Sequence, residues 1–74
     1  MKYKRNDKAI KAFGKNLRRI RKEKNITQEQ LSFDTGIELR QIGRIERGEI
    51  NTGISSVFEI AEALKIDAKE LLEF

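Results

Sequence analysis

Apolar residues recur at three- and four-residue steps along the whole chain, and no stretch alternates as a strand would. Capping signals interrupt that period every ten residues or so. A chain of 74 residues therefore divides into short helices, which are stable only when their apolar stripes cover one another. The spacing predicts an all-α fold, a compact bundle of five helices around one core.

The first helix is expected over about Lys8–Lys24, N-capped by Asp7. Ile10, Phe13, Leu17 and Ile20 form its apolar stripe, and Arg21 falls on the same side. Lys8, Lys11, Lys15, Arg18, Arg19 and Lys22 fall on the opposite face. Gly14 costs roughly 1 kcal/mol of helix propensity. A second, short helix is expected over Gln28–Thr35, opened by Thr27 with Gln30 completing a T-x-x-Q capping box. Leu31 and Thr35 point inward, with Ser32 beside them. Gly36 supplies a positive-φ stop and Ile37 a buried anchor. The third helix reads as Leu39–Arg47, with Ile42, Ile45 and Glu46 inward, Arg40, Gly43, Arg44 and Arg47 outward, and Gly48 beyond its end. The fourth reads as Ile54–Leu64, with Ile54, Val57, Phe58, Ala61 and Leu64 as its buried stripe. Asp67 and Glu70 form a second capping box, opening a last short helix that holds Leu71 and Leu72. Residues 1–7 read as a basic, flexible arm and residues 8–74 as a single domain.

Composition narrows the function. The chain has no cysteine and no histidine, so thiol chemistry, imidazole acid–base chemistry and the usual soft-metal sites are excluded, and no metal or cofactor is expected. No apolar run approaches the ~20 residues of a membrane span. No secretory pattern follows Met1, which points to the cytoplasm. The net charge of +4 conceals a gradient. Residues 1–24 carry eleven basic and two acidic side chains, a net +9. Residues 25–48 carry three and four, a net −1, and residues 49–74 two and six, a net −4. A basic front and an acidic back suit an anionic partner met in one orientation, or a solvated surface.

The stretch TQEQLSFDTGIELRQIGRIERGE, residues 27–49, resembles the lambda-repressor-like (Cro, or XRE) helix-turn-helix family. The resemblance runs from about Lys15 to Leu72. It rests on Thr27-Gln28, Leu31, Gly36-Ile37, Ile42, Ile45-Glu46-Arg47-Gly48, the buried Ile60-Ala61 and the final Leu71-Leu72. Ser32 stands where the family usually has alanine, at the contact between the two helices. Serine is nearly as small and can bond a backbone carbonyl.

The resemblance implies a sequence-specific regulator of transcription, not an enzyme, that binds double-stranded DNA with its third helix in the major groove. The base-contact positions would be Leu39, Arg40, Gly43 and Arg44. Gly43, lacking a side chain at an exposed position, suits a close backbone approach. Gln28, Arg47, Asn51 and Thr52 fall where the family meets the sugar–phosphate backbone, although capping alone accounts for the start of the second helix. Arg21 and Glu46 would form a partly buried ion pair tying helix 1 to helix 3. The basic face of helix 1 either steers DNA, is merely solvated, or meets phosphate. One recognition helix reads few base pairs, so a homodimer on a pseudo-palindromic operator is expected. Leu71, Leu72 and Phe74 are candidate dimer contacts, with packing of the last helix as the alternative. Phe33, on the less buried side of helix 2, either packs on the loop after helix 3 or faces a partner. A restriction–modification controller, a phage-type repressor and an antitoxin all fit this much.

Overall fold

The computed structural model describes residues 4–74. It contains α1 (Asp7–Glu23), α2 (Gln28–Thr35), α3 (Leu39–Glu46), α4 (Ile54–Leu64) and α5 (Ala68–Leu71), with no strand among the described residues. No helix is long and apolar enough to cross a membrane among those residues. The expected five-helix bundle is the observed one.

Helix ends follow local chemistry, with two changes. Asn6, not Asp7, caps α1: its Oδ1 accepts from the Ala9 amide at 3.0 Å. Thr27 Oγ1 caps α2 by accepting from the Gln30 amide, 3.0 Å. The reciprocal half of that box does not form, because the Gln30 side-chain amide donates to Asp34 Oδ1 one turn on, at 2.8 Å. The second box, between Asp67 and Glu70, is complete.

The core is built from Phe13, Leu17 and Ile20 of α1, Leu31 of α2, Ile42 and Ile45 of α3, Val57, Ile60, Ala61 and Leu64 of α4, Leu71 of α5, and Ile37. On α4 the buried arc is Val57-Ile60-Ala61-Leu64. Ile54 and Phe58, expected inside, are 69% and 60% exposed, because at about 100° per residue both fall on one flank of that arc. Leu71 is wholly enclosed by the core. Asn16, a polar residue on the buried side of α1, donates from Nδ2 to the carbonyls of Glu70 and Leu71, both at 2.9 Å. It thereby gives the Leu71 carbonyl at the end of α5 a partner and adds to the backbone bonds that the Glu70 carbonyl already accepts.

The helices meet most closely at Gly14. A Cβ there would stand 2.3 Å from the Ile45 carbonyl oxygen and 2.7 Å from that of Glu46. Glycine is required because α3 lies backbone against backbone on α1. The two physical effects of Gly14→Ala have opposite signs. Helix propensity favours alanine by about 1 kcal/mol, while overpacking costs about 1–3 kcal/mol or more where backbone must move. We expect packing to win: the urea midpoint of Gly14→Ala should fall, and a raised midpoint would show that the helices do not touch there.

Candidate nucleic-acid interface

The α2–α3 unit is set by short-range bonds around its turn. Gly36 adopts φ 76°, where a side chain would be strained. Ser32 Oγ donates across the turn to the Ile37 carbonyl at 2.5 Å. Thr35 Oγ1 donates to the Leu31 carbonyl, 2.7 Å, and accepts from the Ile37 amide, 3.1 Å. With Leu31, Ile37, Ile42 and Ile45 buried behind it, the turn has little freedom to change the angle between the helices.

A buried ion pair braces this unit against α1. Arg21 Nε donates to Glu46 Oε2 at 2.6 Å and Arg21 Nη2 to Glu46 Oε1 at 3.0 Å, a two-point grip. Arg21 Nη1 also donates to the Ile26 carbonyl, 2.8 Å. The hydrogen bond to Glu46 raises the Arg21 pKa further above its ordinary value, so the guanidinium stays charged. Gln28 is drawn into the same network: its Nε2 donates to Glu46 Oε1 at 3.0 Å. The amide nitrogen expected to meet a phosphate is thus already engaged.

The outward face of α3 carries Leu39, Arg40 and Arg44, all exposed. Gln41 is exposed beside them and shares a shallow depression with Arg40, Arg44, Glu38 and Ile50. Sequence reasoning missed Gln41, although its place one residue after Arg40, at the start of α3, was visible. Gly43 is a correction. It is buried, not exposed, because Arg47 folds back over it, with Nη1 3.0 Å from where a Cβ would be. Its missing side chain makes room for Arg47.

Beyond α3, Glu49 gathers the arginines. Arg47 Nε lies 2.6 Å from Glu49 Oε2 and Arg44 Nε 3.6 Å from Oε1. The hydrogen bond from Arg47 holds the Glu49 carboxyl below the usual carboxylate range, and the same bond raises Arg47. Arg5 docks here too. It pairs with Asp7 at 2.7 Å and donates from Nη2 to the Glu49 carbonyl at 2.8 Å. The end of the basic arm therefore packs on the loop after α3, while Lys2 lies outside the described residues.

Asn51 and Thr52 follow Glu49 in the same loop. Both line an apolar cleft with Ile10, Phe13, Ile54 and Phe74. Asn51 is exposed, whereas the Thr52 hydroxyl is buried without a hydrogen-bond partner among the described residues. At the C-terminus, Leu72 and Phe74 are 52% and 59% exposed and border that cleft, while Leu71 has no exposed surface to offer a partner. Phe33, at 84% exposed, does not pack on the loop after α3.

Breaking the brace leaves a buried charge without its partner. Arg21→Ala and Glu46→Ala should each cost about 3–5 kcal/mol, while replacing both by apolar residues should cost less than the sum. Chemical denaturation of the three variants measures this, and single variants as stable as the parent would refute a structural role for the pair.

Residues 17–71 match the helix-turn-helix family HTH_3, a stretch that starts and ends on buried leucines of α1 and α5. Control protein C.BamHI of Bacillus amyloliquefaciens is 38% identical over 63 residues, covering 84% of this chain and 78% of that protein. Control protein C.SmaI of Serratia marcescens is 37% identical over 57 residues, 77% of this chain and 68% of its own. The crystal structure of the restriction-modification controller protein C.AhdI from Aeromonas hydrophila aligns with a TM-score of 0.82 at 35% identity, covering 84% of this chain and 94% of that one. The chain belongs to the Cro/XRE-type helix-turn-helix family of DNA-binding transcriptional regulators, which are not enzymes.

Proposed function

We propose that the protein is a sequence-specific operator-binding regulator that acts as a homodimer in the cytoplasm, with α3 in the major groove of double-stranded DNA. One observation carries this reading. Arg40 and Arg44 stand exposed one turn apart on α3, while the opposite side of the same helix is sealed by Ile42, Ile45 and the braced Glu46. A two-turn helix held this firmly presents its outer face as a fixed probe. Arg44 is the candidate for a bidentate contact to guanine O6 and N7, Gln41 for adenine, and Leu39 for a thymine methyl. Arg40, nearer the helix start, reaches a base or the backbone. The first turn of α2 with Gln28, together with Arg47 and Asn51, lies along the sugar–phosphate backbone. Thr52, its hydroxyl buried, is left out of the DNA face.

The second copy docks on the apolar surface of Ile54, Phe58, Leu72 and Phe74. These residues are exposed and none lies on the α3 face, so dimerisation and DNA binding do not compete. Half-sites would then lie ~34–36 Å apart, about one helical turn. The likeness to C.BamHI, C.SmaI and C.AhdI favours a restriction–modification controller over a phage-type repressor or an antitoxin.

Selection of bound sites from random duplex DNA tests both parts. The parent should return a pseudo-palindromic sequence that also occurs upstream of neighbouring restriction–modification genes. Arg44→Ala should lose about 1–3 kcal/mol of binding and relax preference at one base pair in each half-site. A single asymmetric half-site would overturn the dimer, and an unchanged preference for Arg44→Ala would overturn the placement of α3.

A further inference from the structure

Lys11, Lys15 and Arg18 occupy one stripe of α1, at i, i+4 and i+7. They form one wall of a cleft of about 630 Å³ whose other side holds Gln28, Gly43 and Arg47. All three are exposed. None makes an ion pair among the described residues. Lys8 and Lys22 of α1 are unpaired among those residues as well, but they do not line this cleft, whereas Arg19 is paired with Glu23 at 3.0 Å, and Arg44 and Arg47 with Glu49.

The wall owes its position to two glycines. Gly14, between Lys11 and Lys15, lets α3 lie directly on α1, and a Cβ on Gly48 would stand 2.8 Å from the Lys11 Cα. No layer of side chains separates the cations from the C-terminal half of α3. Lys11 to Arg18 spans about 10.5 Å of helix axis at 1.5 Å per residue. One strand of duplex DNA carries a phosphate about every 3.4 Å of axis, so a wall of this length laid along the axis covers about three phosphate steps, enough for each of the three cations to meet a phosphate.

We propose that Lys11, Lys15 and Arg18 form a sequence-independent DNA site that grips the phosphate backbone flanking the stretch of groove occupied by α3. This rests on the placement of α3 given above. The free cations can meet any duplex without breaking an ion pair. Arg44 and Arg47 must first exchange Glu49 for DNA. The wall therefore supplies sequence-independent affinity, and the α3 face adds discrimination.

The test compares the full chain with the triple variant Lys11→Gln, Lys15→Gln, Arg18→Gln, on random-sequence duplex and on the selected operator, over a range of salt concentrations. The sites are exposed on a helix, and a melting curve checks that the fold is kept. The slope of log K against log salt should flatten by roughly 0.9 for each phosphate no longer neutralised, about 2.7 per protomer. Affinity should fall by the same factor on both duplexes, dissociation should be faster, and base preference should be unchanged. Lys11→Arg with Lys15→Arg should keep the parental slope. A parental slope in the triple variant overturns the proposal, as does an effect confined to the association rate, which would mean long-range steering. Arg44→Ala in parallel separates the two readings: altered base preference there, with a parental slope in the triple variant, removes the wall and leaves α3 in the groove.

Discussion

The approach of α3 onto α1 at Gly14 governs what the rest of the molecule can present. With carbonyl oxygens of Ile45 and Glu46 less than 3 Å from where a Cβ would be, the two helices have no side-chain layer between them to deform. The Arg21–Glu46 pair holds the same crossing about two turns further along α1, and extends to the α1–α2 loop through Ile26 and to α2 through Gln28. A helix of eight residues has little stability of its own. Held in this way, it becomes a rigid edge whose outer side chains keep their bearings.

Charge is distributed around that edge unevenly. The basic front of the sequence becomes, in three dimensions, a wall of free cations along α1, while Arg44 of α3 and Arg47 just beyond it share an acidic partner in Glu49. These pairs are exposed and each is weak in water. Their consequence concerns specificity: a duplex that offers Arg44 no better partner than Glu49 gains little from reaching it. No charged residue lines the cleft that Ile54, Leu72 and Phe74 border among the described residues, leaving that patch able to bury itself.

The architecture was legible because helical period and capping agree at almost every element. Thr27, Gly36 and Asp67 each marked a boundary that is found where expected. The Arg21–Glu46 pair was legible because opposite charges fell on two inward faces. The failures share a cause, since one-dimensional period does not say what packs against a face. Ile54 and Phe58 look buried on a helical wheel, yet the arc that α4 turns inward is centred elsewhere. Gly43 looks exposed until Arg47 is seen lying across it, and Gly14 looks like a propensity defect until α3 is placed on it. Asn16 is polar at an inward position, and only the end of α5, 54 residues away, explains it. Gln30 had two acceptable partners within a turn, and local geometry chose Asp34.

The central claim is that the Arg40–Arg44 face of α3 enters the major groove. Dimethyl sulfate probing of the selected operator, with and without the full chain, tests it most directly, because the reagent reaches guanine N7 from the major groove and adenine N3 from the minor groove. The account predicts guanine N7 protection in two half-sites about one helical turn apart, with adenine N3 still reactive there. Bound DNA with fully reactive guanine N7, or with protection confined to adenine N3, would contradict it.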